Sequence, residues 1–266
     1  MILTTAHFLW LASLLAVAAY LWMGWGSRMA SDAANGGHAH AHLSLLWAWA
    51  LHAGALFAGL YHSELRFGFA PALSMTAWIV LGVYVIESRL FPELRTHCAW
   101  AGLGAITVLM AAIWPGATHL STGLAATHWV LALVAYGLLV AAAIHAWLLK
   151  RSELRLRAPK AEDSSHGVPV MTLERLMFQY VVAGFVFLTA TLALGIWFEP
   201  EGAKWWRNHK ITFSLLGWLV IAVLLVGRLR YGWRGKKAAR FIYAGTGLLL
   251  LAYAGTRFVL EVVLKR

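Results

Sequence analysis

Eight stretches of mostly apolar residues run through this chain, at 3–24, 43–61, 71–88, 97–114, 127–149, 174–197, 211–229 and 238–263. A run of about twenty such residues is what an α-helix needs to cross the hydrocarbon core of a bilayer. Each stretch is apolar on all sides rather than along one stripe, the pattern of a helix that meets lipid or other helices all round. In lipid every backbone N–H and C=O must be paired within the segment, and a helix does this. Over the whole chain 61% of the residues are hydrophobic and 12% charged, against about 45–50% and about 25% in soluble domains. Water alone could not solvate this chain when folded. The expected fold is therefore all-α, a polytopic transmembrane helical bundle of about eight spanning helices forming a single integral-membrane domain over 1–266. Helices 1–5 fall in 1–149, a linker in 150–173, and helices 6–8 in 174–266.

The connections carry the helix breakers. Gly36-Gly37 lies in the first, Pro71 opens the third helix, Pro115-Gly116 ends the fourth, and Glu199-Pro200-Glu201-Gly202 follows the sixth. The first stretch has no Lys or Arg ahead of it and is longer than the apolar region of a signal peptide. It reads as a retained first helix; the alternative is cleavage, which leaves seven helices.

The net charge is +11. In a soluble protein that would point to nucleic acid, but no basic stripe here is interleaved with exposed aromatics as single-strand binding requires. The basic residues gather instead as topogenic charge. The fifth connection holds Lys150, Arg151, Arg155, Arg157 and Lys160, and the seventh holds Arg228, Arg230, Arg234, Lys236 and Lys237, while 115–126 holds none. Connections one, three, five and seven are thus expected in the cytoplasm and both termini outside. Residues 151–170, with Pro159, Glu162, Asp163, Ser164, Ser165, Gly167 and Pro169, read as a flexible cytoplasmic linker. Of the 15 tryptophans many stand near helix ends, as an aromatic belt does. The lone cysteine, Cys98, excludes an intramolecular disulfide and a cysteine-only metal site.

Twelve histidines remain to be explained. His38, His40 and His42 alternate in the first connection, either as a short metal-binding tract or as a solvated loop. His52 lies near the middle of the second helix, where a polar ring faces the bundle interior, as a ligand or hydrogen-bonded to a neighbour. His128 begins the fifth helix and His209 precedes the seventh, at the same membrane face in this topology. Two histidines on different helices at one level are the minimum for bis-imidazole ligation of haem iron. Trp205 and Trp206, beside His209, offer flat apolar surfaces suited to a porphyrin. Charge is sparse in the apolar runs, and Glu87, Glu174, Arg175 and Glu261 lie close to helix ends. No Walker loop, His-Glu-x-x-His pair or Gly-x-Ser-x-Gly elbow is present. An autonomous hydrolase or ATPase is not expected, and the chain reads as a non-enzyme.

These residues resemble the cytochrome c assembly family, haem-handling proteins of bacterial and plastid membranes, and within it the YpjD/HemX-type branch. The resemblance is carried by His209-Lys210, Ser214, Trp218, Arg228 and the run Arg230-Tyr-Gly-Trp-Arg-Gly235 with Ala238 and Ala239. Leu251-Ala-Tyr with Phe258-Val-Leu-Glu261, Leu65-Arg-Phe-Gly-Phe with Ala72-Leu-Ser, His128 with Ala135-Tyr136, and Thr-Leu-Glu-Arg-Leu at 172–176 extend it over nearly the whole chain. The family's haem-transferring members carry a tryptophan-rich motif ending in Trp-Asp-Pro-Lys-Glu. Trp205-Trp-Arg-Asn-His-Lys210 stands in its place, with the acidic and proline positions gone and a histidine gained. A family histidine late in the following helix is missing from Val223-Leu-Leu-Val-Gly-Arg228, and a final outer one from Val262-Val-Leu-Lys265.

The resemblance implies a multi-pass protein of the bacterial inner membrane that binds non-covalent b-type haem and supports cytochrome c biogenesis. Its partners would be haem, the lipid bilayer and other cytochrome c maturation or membrane proteins. His128 and His209 are the expected iron ligands, Trp205 and Trp206 the shelter of the ring, and His52 a deeper ligand. The alternatives are a HemX-type regulator of haem synthesis and a scaffold subunit of another membrane complex, neither holding haem.

Overall fold

The computed structural model describes residues 5–30, 37–60, 65–91, 98–119, 123–156, 169–198 and 209–263. Among these residues eight main helices follow one another: α1 (Thr5–Ala30), α2 (Gly37–Leu60), α3 (Phe69–Leu90), α4 (Cys98–Ile113), α5 (Gly123–Leu156), α6 (Val170–Phe198), α7 (His209–Tyr231) and α8 (Gly235–Leu250). The last continues without a break through π-helical stretches at Leu251–Gly255 and Val259–Val263, separated by a short α-helical piece at Thr256–Phe258. The protein is a polytopic helical membrane protein. Among the described residues six helical segments are long and apolar enough to span a bilayer: His7–Gly26, Phe69–Leu90, Ala126–Leu154, Val170–Trp197, His209–Tyr231 and Gly235–Phe258. His42–Ala58 and Trp100–Ile113 are apolar but shorter.

The helices depart from the apolar runs in two instructive places. The tract around His38, His40 and His42 belongs to α2, not to a loop, because α2 starts at Gly37. At its other end α5 outlasts its apolar run and reaches Leu156, so Lys150, Arg151 and Arg155 stand on helix rather than on an open linker. There Arg151 lays its guanidinium over the Trp147 ring, 5.3 Å from the centroid. An all-helical expectation also misses one detail. Leu65–Phe67 (β1) pairs antiparallel with Ala117–His119 (β2), in the register Leu65↔His119 and Phe67↔Ala117. Connections between spans carry backbone groups that no helix satisfies, and a short ladder pairs them.

The chain forms two compact units, 1–121 and 122–266. In the first, α1 packs on α2 and α4, α3 packs on α2 and α4, and Ala16, Tyr20, Met23, Leu45, Leu81 and Val108 are among the core residues. Trp49 and Trp78 clamp α2 to α3: each indole N–H donates to the other's backbone carbonyl, at 2.9 and 3.1 Å, and the rings stack at 4.8 Å.

In the second unit α5 packs against α6 and α8, and α7 against α8. The last pair approaches closely at Gly217 and Gly245. A Cβ on Gly217 would stand 3.2 Å from the Gly245 carbonyl and 2.8 Å from Leu249 Cγ; one on Gly245 would stand 2.6 Å from Ile221 Cδ1. Small residues let spanning helices touch in this way, where no hydrophobic effect drives association. Replacing Gly217 and Gly245 together by leucine is expected to cost about 1–3 kcal/mol per site through overpacking, seen as a lower thermal midpoint in detergent. Gly247→Ala, at a position with nothing within 4 Å, should leave it unchanged.

Candidate functional site

One end of the second unit gathers the start of α5, the end of α6, the start of α7 and the first π-helical stretch. His128, in the second turn of α5, lies in the space that Gly195 of α6 leaves open; a Cβ on Gly195 would come within 3.3 Å of His128 Cε1. The ring hydrogen-bonds the backbone of Thr191, one helical turn before Gly195. Its Nδ1 is buried and has no hydrogen-bond partner. Because helix N–H groups at that position are already used within α6, the ring donates there to the carbonyl. Histidines that ligate a metal are commonly oriented by a backbone carbonyl in this way, with a ring nitrogen left for the metal.

His209 is the first residue of α7 and is exposed. Its neighbour Lys210 is close enough to His128 to act on it electrostatically and places its ammonium 5.2 Å from the centre of the Tyr253 ring. Tyr253 sits on the π-helical stretch that packs against α7; such interruptions are frequent at functional sites. Deeper in the unit, Tyr136 of α5 and Ser214 of α7 are both buried and hydrogen-bond one another, locking the two helices that carry the histidines. The structure thus brings His128 and the α7 start bearing His209 to one end of one unit. Trp205 and Trp206 lie outside the described residues.

His52 is placed otherwise. It is fully buried in the first unit, among α1, α2 and α3. Its Nδ1 lies 3.0 Å from the Tyr20 hydroxyl and its Nε2 2.9 Å from the Ser74 hydroxyl. A neutral imidazole has one donor and one acceptor, and both are engaged. In this placement both ring nitrogens are taken, and the ring serves as a hydrogen-bonded hub of the three helices. Its partners escaped the sequence reading, although a polar ring in mid-span demands partners and hydroxyls in neighbouring spans are where to look. Gly195 and Lys210 escaped it as site residues too, since neither carries a signal until α6 and α7 are seen beside His128. His42 pairs with Arg89 of α3, whose Nε–H donates to His42 Nε2 at 2.9 Å. Among the described residues no group of three or more His, Cys, Asp or Glu side chains is placed to hold a metal ion.

The fold is that of a multi-pass helical membrane protein, and one end of its second unit carries a buried imidazole nitrogen of His128 without a hydrogen-bond partner. The chain belongs to the cytochrome c assembly protein family, whose model matches residues 38–264. It is similar to the inner membrane protein YpjD of Escherichia coli K12, with 34% identity over 136 residues, 51% of this chain and 52% of that one. It is similar to the cytochrome c biogenesis protein CcsA of Prochlorococcus marinus NATL1A, with 36% identity over 89 residues, 33% of this chain and 28% of that one. An uncharacterized 28.8 kDa protein of Azospirillum brasilense, from the 5′ region of a nifR3-like gene, is 30% identical over 230 residues, 82% of this chain and 81% of that one. The match thus spans about half the length of YpjD and a smaller part of CcsA. No solved structure matches the chain.

Proposed function

We propose that this chain is a non-enzymatic haem-handling protein of the bacterial inner membrane that supports cytochrome c biogenesis. The observation that carries the reading is the buried, partnerless Nδ1 of His128, in a ring seated against the α6 backbone at Thr191 and Gly195. A polar atom left in that state costs free energy unless something occupies it, and imidazole nitrogen is a common axial ligand of haem iron. His128 and His209 are the residues that would hold the iron. Lys210 supplies a cation suited to the porphyrin's carboxylates, and Trp205 and Trp206 an apolar cover. The bound group would supply the iron; the chain supplies ligation, orientation and shelter. The names of the relatives support the setting, YpjD being an inner membrane protein and CcsA a cytochrome c biogenesis protein. The test is an absorption spectrum of the detergent-purified protein, oxidised and reduced, with haem supplied. A Soret band with sharp reduced α and β bands is expected; a featureless spectrum favours a regulatory or scaffold role.

The orientation has its own test. A reporter fused after Asp163 should read as cytoplasmic and one after Gly202 as external, from the excess of Lys and Arg in the fifth and seventh connections. The reverse pattern would move His128 and His209 to the cytoplasmic face.

A further inference from the structure

The run Arg230-Tyr-Gly-Trp-Arg-Gly235 plays no part in the site just described, yet it is among the most elaborately built segments of the second unit. Only Gly232, Trp233 and Arg234 separate α7 from α8. Gly232 and Gly235 adopt positive φ, +62° and +53°, which L side chains resist. The Gly232 N–H caps the Arg228 carbonyl at 3.1 Å and the Trp233 N–H the Gly227 carbonyl at 3.2 Å. The Trp233 ring folds back onto Gly227, in space a Cβ there would fill. Glu174 at the start of α6 then ties the turn down, receiving Arg228 at 3.0 Å and Arg234 at 3.2 Å.

Two spans joined by three residues put their turn at the membrane–water boundary, whichever way the chain faces. The cations around it therefore lie at the depth of the lipid phosphates. Arg230, Arg234, Lys236, Lys237 and Arg240 are all exposed. Lys237 is held over the Trp233 ring at 3.7 Å, which fixes where its charge stands. Glu174 is shared by Arg228 and Arg234, and among the described residues no carboxylate forms an ion pair with Arg230, Lys236, Lys237 or Arg240. Those on α8 crowd its first turns, where the helix dipole already disfavours cations. Leu229 and Tyr231, 85% and 75% exposed, turn apolar surface outward beside them. Positive charge concentrated at phosphate depth and flanked by apolar surface matches one chemistry.

We propose that the α7–α8 turn is a binding site for the headgroup of an anionic phospholipid. Arg230, Lys236, Lys237 and Arg240 meet the phosphate, while Leu229 and Tyr231 lie along the acyl chains. Bound lipid would offset the mutual repulsion of these cations and steady the joint between α7 and α8.

The test uses the full chain, purified in detergent and stripped of lipid, in native mass spectrometry with phosphatidylglycerol, phosphatidylcholine and inorganic phosphate as separate probes. Phosphatidylglycerol should bind well above phosphatidylcholine and should not be displaced by millimolar phosphate. Neutralising two cations (Lys236→Gln with Arg240→Gln) should weaken phosphatidylglycerol on the order of 20-fold, at about fivefold per surface charge. The charge-keeping pair Lys236→Arg with Arg240→Lys should bind as before. If the neutral variant loses its helical circular dichroism, added salt supplies the same test, since it should weaken phosphatidylglycerol binding to the parent protein and spare phosphatidylcholine. Equal binding of the two lipids, or undiminished phosphatidylglycerol binding by a folded neutral variant, overturns the proposal. Displacement by inorganic phosphate overturns it in favour of a free-phosphate site.

Discussion

His128→Ala and His209→Ala should each remove the same absorption signature from haem-loaded protein, and the double variant should lose little beyond either single one. Two ligands of one iron act as a unit, so their losses do not add. His128 is the more telling of the two. Its ring is already oriented by the carbonyl at Thr191 and seated against Gly195, with Nδ1 unspent. His209 is exposed at the first position of α7 and would be drawn in by the ligand. Added imidazole should partly restore the spectrum of each single variant by filling the vacated position. Gly195→Leu offers a check that leaves both histidines in place: a side chain there takes the room the ring uses, and the signature should weaken without either imidazole being removed. Two unrelated interfacial histidines would instead give small, additive stability losses and no rescue by imidazole.

The sequence could announce spans because their signal is composition over length, and that needs no knowledge of neighbours. The eight helices fall close to the eight apolar runs for this reason. Helix ends were less legible. α2 begins at Gly37 and α5 ends at Leu156 because helical hydrogen bonding continues where hydropathy has already fallen away. The β1–β2 ladder was invisible, since three residues on each side show no period. At the site, His128 and His209 could be placed at one level by counting spans and charges. The features that give His128 its character could not be read in this way. Gly195 contributes only the absence of a side chain, and Thr191 contributes a main-chain oxygen that every residue has. Arg228 and Arg234 belong to a motif legible in the sequence, but their meeting with Glu174, 54 residues from Arg228, is a fact of packing.

His52→Leu should be among the most destabilising single substitutions in the first unit, and it should act without altering the spectrum assigned to His128. The imidazole joins three helices through two hydroxyls, Tyr20 on α1 and Ser74 on α3, all three side chains lying away from solvent. Leucine fills a similar volume but offers neither hydroxyl a partner. Each buried polar group so stranded costs about 1–3 kcal/mol, giving a combined loss of about 2–6 kcal/mol. Hydrogen bonds between spanning helices average less in measured cases, about 0.6 kcal/mol with a maximum near 1.7, so the low end of that range is the firmer expectation. Removing the hydroxyls with the ring should relieve the penalty. The triple change Tyr20→Phe, Ser74→Ala, His52→Leu is expected to be more stable than His52→Leu alone, because nothing polar is left without a partner. Thermal midpoints of the three proteins in one detergent would show this. His52→Gln, which keeps a donor and an acceptor, should fall between parent and leucine variant. A haem spectrum that changes in a stably folded His52→Gln protein would mean that the ring gives up Tyr20 or Ser74 to bind iron, and the hub would then double as a ligand.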